Sequence, residues 1–295
     1  MAGCKKCAAA PLPECESIDI AALRESCHNG GCDLVVILGP TASGKTAYAV
    51  SLAKALGDCE IISADSRQVY RRMDIGTGKD LDEYGDIPYH LIDIAEPGDH
   101  YNVFEFQKDF RDAYAGITGR GRTAILCGGT GLYINAVTAA YDFRSSKPLS
   151  EEGPSNLSRP EGLPGKPFFI GTLVSREERN AKIDARLDAR LREGMVEEIK
   201  GLLDEGVRAE RLIEYGLEYK YVTLYLLGEL SYSQMRERLA TAIHQFAKRQ
   251  MTWFRGMQRA GTVIHWTVSQ PVRRSDGALP ETSSEGNRNP QGPKA

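Results

Sequence analysis

A chain of 295 residues has material for one large or two modest domains and an ample core. Its 41% apolar and 26% charged residues, with a formal net charge of -3, are those of a globular protein, so any nucleic-acid binding must come from a local patch and not from overall basicity. No apolar run approaches the length of a membrane span and the N-terminus has no charged-then-apolar leader, so a cytoplasmic protein with no membrane partner is expected.

Residues 1–33 read as a Cys-rich extension with one short helix over residues 18–26. Cys4, Cys7, Cys15, Cys27 and Cys32 all precede the body of the protein, which keeps only Cys59 and Cys127. The pairs Cys4/Cys7 and Cys27/Cys32, with His28, supply the ligand types of a zinc site at a non-standard spacing; the alternative is a disordered extension with reduced thiols.

Residues 34–46, LVVILGPTASGKT, carry the strongest signal in the chain. An apolar strand runs into Gly39, Pro40, Thr41, Ala42, Ser43, Gly44, Lys45 and Thr46, a full G-x-x-x-x-G-K-T phosphate loop, and a helix follows. Loop N–H groups and the helix N-terminus converge on one anion, Lys45 adds a point charge, and the Thr46 hydroxyl suits a phosphate-bound Mg²⁺. A di- or triphosphate ligand follows.

A second strand, residues 60–64, ends on Asp65, Ser66, Arg67 and Gln68. In an open parallel sheet ligands gather beyond the carboxyl ends of the strands, which makes Asp65 a neighbour of the phosphates. Residues 71–79 form a polar loop ending in Lys79. A short strand is expected within residues 87–93, where His90 is read as structural, and a helix over residues 103–117. The next buried strand, residues 123–127, ends in glycines and Thr130 instead of the Asp with which phosphate-loop NTPases organise Mg²⁺ and water. Such an end holds a diphosphate beside a second substrate better than it splits ATP.

Residues 142–167 shift to Ser, Pro, Gly and Glu and read as a short linker. A strand at 168–173 follows, then one long helix over residues 176–205 with Ile183, Leu187, Leu191, Met195, Ile199 and Leu202 on its apolar stripe. In residues 233–259 Arg236, Arg238, Lys248, Arg249, Arg255 and Arg259 stand against the single acid Glu237, with Phe246, Trp253 and Phe254 interleaved. This is the best local candidate for an anionic partner; an ordinary helix with core aromatics is the competing reading. Residues 269–295 read as a disordered tail.

Five segments in this order resemble the tRNA dimethylallyltransferases, also called tRNA isopentenyltransferases: GPTASGKT at 39–46, DSRQVYRRMDIGTGK at 65–79, PYHLID at 88–93, GGTGLYI at 128–134 and AKRQMTWFRG at 247–256. The helix at 183–203 is similar to that family as well. The resemblance implies transfer of a dimethylallyl group from dimethylallyl diphosphate to the exocyclic amine of an adenosine beside the tRNA anticodon, with Mg²⁺. It also implies residue roles: the loop residues and Lys45 hold the diphosphate, Asp65 accepts the amine proton, and Thr130 lies near the reacting groups. Ser66, Arg67, Gln68 and Arg249 would contact the target nucleotide, which must leave its stack.

Two departures from the family pattern follow. Relatives carry a helical insertion that grips the anticodon stem-loop, and this chain has only residues 142–167 there. Where relatives supply cations from an Ile-Arg-x-x-Gly-Tyr-Arg segment, this chain has Ile213 and Glu218, so a positive charge near the diphosphate is expected to be lost, with Lys79 or Arg249 as substitutes. The shortened insertion leaves a free adenine nucleotide or short RNA as an alternative acceptor. A phosphate-loop small-molecule kinase and a non-catalytic RNA-binding descendant are the other readings. The expected fold is α/β, a P-loop NTPase-like parallel sheet with flanking helices, formed by residues 34–268. No segment signals oligomerisation, so a monomer is expected.

Overall fold

Strand β1 (Leu34–Leu38) is buried along its whole length because both of its faces are covered. In the computed structural model, which describes residues 12–139, 161–268 and 272, its alternate side chains enter two different cores. Leu34, Val36 and Leu38 join one core with Phe106, Phe110 and Ile134, while Val35 and Ile37 join the other with Leu52, Ala53 and Leu56. A strand sandwiched in this way reads as an unbroken apolar run.

Five further strands complete the sheet: β2 (Cys59–Ser63), β3 (Tyr89–His90), β4 (Thr123–Gly128), β5 (Pro167–Leu173) and β6 (Ile264–Val268). Their order is β3-β2-β4-β1-β5-β6, and every pairing is parallel. All carboxyl ends therefore open on one edge. From β1 the chain goes to β2 and β4 on one side and to β5 on the other, so the crevice at the end of β1 lies where the strand order reverses.

Helix α1 (Ile20–His28) packs on α2 (Lys45–Leu56), and α3 (Val103–Gly119) and α4 (Gly131–Thr138) cover the opposite face. Asn102 and Glu105 close a reciprocal capping box that fixes the start of α3. Residues 12–33 are thus no disordered extension: Leu23 and Cys32 are buried in the core that includes α2, and the Glu16 N–H donates to the Trp266 carbonyl at 2.7 Å. Cys15, Cys27, Cys32, Cys59 and Cys127 are free thiols, and among the described residues no group of three or more His, Cys, Asp or Glu side chains could hold a metal ion. Cys4 and Cys7, most of the linker and the 269–295 tail lie outside the described residues, save Val272 in the tail.

The expected long helix is two, α5 (Arg176–Glu193) and α6 (Met195–Asp204), broken at Gly194 with φ +104°. The apolar stripe continues across the break, which is why periodicity reads as one helix; the left-handed glycine turns the chain. With α7 (Ala209–Tyr215), α8 (Leu217–Leu226) and α9 (Tyr232–Arg259), these helices share a third core that also takes Val69, Tyr70 and Met73 from the segment after β2. The helical layer therefore stands over the carboxyl edge of the sheet and walls the crevice.

Candidate active site

The phosphate loop is shaped from both sides. A Cβ on Gly39 would lie 2.4 Å from the Thr172 hydroxyl and 2.7 Å from that of Ser43, so only glycine fits. Ser43 is fully buried and its hydroxyl bonds that of Thr172 at 2.7 Å, which ties the loop to β5. Ser43 thus shapes the loop, since its N–H is also directed to the Pro40 carbonyl at 3.3 Å. Gly44, with φ +77°, begins α2 without a side-chain cap, and the positive end of the helix dipole faces the loop. Lys45 Nζ donates back to the Pro40 carbonyl at 3.0 Å. Burial lowers its pKa, while Cys127 and the Asp65 carboxylate act in the opposite direction.

Thr41 does not present its backbone to an anion. Its N–H donates to Gln250 Oε1 at 2.8 Å, and its hydroxyl accepts from Arg186 at 2.6 Å. Gln250, buried on α9, also donates from Nε2 to the Gly129 carbonyl at 2.9 Å, so one amide joins the phosphate loop to the loop after β4. Among the described residues no carboxylate lies within ion-pair distance of Arg186, and burial, with Arg190 next, brings its pKa down to about 10.

The loop after β2 meets the loop after β4. The Thr130 hydroxyl accepts the Ser66 N–H at 3.2 Å and lies 3.4 Å from the Ser66 hydroxyl. Asp65 Oδ1 accepts the Arg67 N–H at 3.0 Å, a turn in which the other carboxylate oxygen has no donor among the described residues. The Gln68 amide is engaged at both ends, by the Ser63 hydroxyl at 3.1 Å and the Gly78 carbonyl at 3.2 Å, so its side chain braces the loop. The structure thus brings Lys45, Asp65, Ser66 and Thr130 together at the carboxyl edge. Arg249 is exposed on α9, its guanidinium 6.0 Å from the Phe246 ring.

Glu218 is not a bare negative charge facing the diphosphate. It is 5% exposed and forms an ion pair with Arg67. Lys79 does not stand in for the missing cations, because its ammonium is fully buried among the Tyr70 carbonyl, Asp74 and Asp93. His90 faces the buried Glu60 at 2.6 Å on the sheet edge, a structural role as expected. Sequence reasoning missed Arg186 and Gln250. Both had a signal: a cation beside Ile183 and Leu187, and an uncharged amide among Ala247, Met251 and Phe254, are polar residues on otherwise apolar faces.

Strand order, phosphate loop and crevice define the class, a phosphate-loop α/β protein with a cationic cleft at the carboxyl edge. Two family models match: IPP transferase over residues 68–156 and 143–257, and isopentenyl transferase over residues 32–84. A tRNA dimethylallyltransferase 2 of Phocaeicola vulgatus is 48% identical over 282 residues, covering 79% of this chain and 92% of that protein. A second, from Porphyromonas gingivalis, is 48% identical over 281 residues, covering 79% and 93%. The crystal structure of a full-length tRNA isopentenylpyrophosphate transferase from Bacillus halodurans superposes with a TM-score of 0.69 at 32% identity, covering 80% of this chain and 89% of that one. The chain belongs to the tRNA dimethylallyltransferase family, and the kinase reading is set aside.

Proposed function

We propose that this protein transfers a dimethylallyl group from dimethylallyl diphosphate to the exocyclic amine of an adenosine in tRNA, next to the anticodon. The observation that carries the reading is the meeting of a phosphate loop with a part-free carboxylate, Asp65, and a hydroxyl, Thr130, within a family of that activity. Bond making and breaking divide between the two sides. The adenine nitrogen forms a bond to the allylic carbon, the carbon–oxygen bond breaks, and its electron pair leaves with the diphosphate. Lys45, the start of α2 and Arg186 stabilise the charge that grows on the leaving group. Asp65 takes the proton from the amine, and Thr130 orients the acceptor through its bond to the Ser66 loop.

Thr46 fits a Mg²⁺ ion: the residue is half-buried at the first turn of α2 and its hydroxyl has no partner among the described residues. With one protein ligand, the ion would be held chiefly by the diphosphate, and it would supply Lewis-acid stabilisation of the leaving oxygens. The tRNA acceptor fits a cytoplasmic protein. In this reading the protein acts as a monomer, and among the described residues no helix is long and apolar enough to cross a membrane. A shortened insertion is supported by the alignment, in which 282 positions draw on only 79% of this chain. The core would then carry more of the RNA contact, through Arg249 and the exposed Trp253 on α9.

The test is Asp65→Asn under single-turnover conditions. Loss of ~10²–10⁴-fold in rate with diphosphate binding intact is expected of a general base. An unchanged rate would remove Asp65 from that role.

A further inference from the structure

Glu218 is a carboxylate buried at 5% exposure in the wall above the crevice, and the group facing it is the Arg67 guanidinium, whose side chain is 15% exposed. A buried ion pair is not in itself a source of stability, so its placement needs another reason. Arg67 follows directly on the Asp65–Ser66 turn, its ring neighbour is Phe246 at 5.6 Å, and its charge is felt by Arg186, which bonds the phosphate loop through Thr41. A guanidinium carries five N–H donors in a fixed fork; among the described residues Glu218 takes the Nη1 donor and no other acceptor engages the guanidinium, which leaves its remaining donors for a second anion.

We propose that Arg67 is a diphosphate ligand and that Glu218 is the positioning residue that aims it. The inference rests on the prenyl-transfer reading and deepens it. It moves Arg67 from the acceptor nucleotide, where the family resemblance puts it, to the donor's leaving group. The cation that α8 does not supply at position 218 is delivered from the β2 side, and Glu218 holds it in the crevice. Three cations, Lys45, Arg186 and Arg67, then surround the diphosphate from the loop, from α5 and from the β2 turn. Arg67 stabilises the oxygen that gains the electron pair as the carbon–oxygen bond breaks, and Glu218 touches no reacting atom.

The experiment compares Arg67→Ala, Arg67→Lys, Glu218→Gln and the exchange of the two charges, Arg67→Glu with Glu218→Arg. Each is assayed for kcat and for KM toward dimethylallyl diphosphate and the RNA acceptor separately, and for binding of inorganic diphosphate by calorimetry. Thermal melting checks that each variant is folded. Arg67→Ala is expected to raise the donor KM, weaken diphosphate binding at least tenfold and lower kcat ~10²-fold, with the acceptor KM unmoved. Arg67→Lys should recover part of the binding, Glu218→Gln should move the same donor parameters by less, and the exchanged pair should bind diphosphate more tightly than Arg67→Ala. A rise in acceptor KM alone, or diphosphate binding unchanged in folded Arg67→Ala, would overturn the proposal. The diphosphate measurement needs no turnover, so it distinguishes this outcome from failure of the prenyl-transfer reading, which an inactive wild type would reveal.

Discussion

Gln250 accepts the backbone N–H of Thr41 at 2.8 Å, across 209 positions of sequence, and with its other end donates to Gly129 at 2.9 Å. One buried amide thereby sets the distance between the loop proposed to hold the donor and the loop that carries Thr130. Gln250→Ala strands the Thr41 N–H and the Gly129 carbonyl and loosens that spacing. Leaving buried groups unpaired costs ~1–3 kcal/mol each, so we expect a lower melting temperature together with a fall in kcat of about tenfold or more. Steady-state kinetics beside thermal melting checks this, and a destabilised variant with wild-type kcat would show that the bridge is structural only.

Arg186 reaches the phosphate loop with no carboxylate within ion-pair distance among the described residues. Arg186→Ala is therefore expected to raise the KM for dimethylallyl diphosphate by ~10–100-fold and to weaken binding of inorganic diphosphate in parallel. A guanidinium stays charged throughout the working pH range, so the loss of diphosphate binding in Arg186→Ala should be the same from neutral pH to about pH 9, and a loss that disappears within that range would contradict this.

Gly128 ends β4 where the backbone just after β2 passes close. A Cβ there would stand 2.3 Å from the Ala64 carbonyl oxygen, and backbone in mid-sheet cannot step aside. Gly128→Ala should destabilise the fold by more than ~2 kcal/mol and displace the adjoining Asp65 turn. Denaturant unfolding measures the first effect, and loss of activity in the protein that remains folded measures the second.

Glu60, at the start of β2, sets acid stability. Burial alone would raise its carboxyl pKa, but hydrogen bonds from Arg120, His90 and Arg122 hold it down at about 2. A carboxyl whose folded pKa lies below its unfolded value stabilises the fold above the unfolded pKa. That contribution, on the order of 2–3 kcal/mol, is lost as pH falls from about 4.5 toward 2. Glu60→Gln should lower stability at neutral pH and flatten its decline over that window, as read by denaturant melts at several pH values.

Much of this was legible in the residues because local chemistry and tertiary position agreed. The phosphate loop, the strand ends at Asp65 and Thr130, and the helix that became Tyr232–Arg259 needed no long-range information. The break at Gly194 was hidden because apolar periodicity continues through it. Arg67 with Glu218, and Thr41 with Arg186 and Gln250, were hidden for a different reason. Each joins segments more than a hundred residues apart, and no local pattern reports which buried charge will find which partner. Position 218 alone therefore suggested a lost cation, whereas the fold brings two arginines to the crevice.

The most direct measurement is mass spectrometry of nucleosides after incubating the protein, dimethylallyl diphosphate and Mg²⁺ with unmodified tRNA or, separately, with AMP, using Asp65→Ala as the control. The account predicts prenylated adenosine from tRNA, far less from Asp65→Ala in the same time, and tRNA preferred over AMP. Folded wild-type protein that yields no prenylated adenosine from tRNA, or prefers AMP, would contradict it.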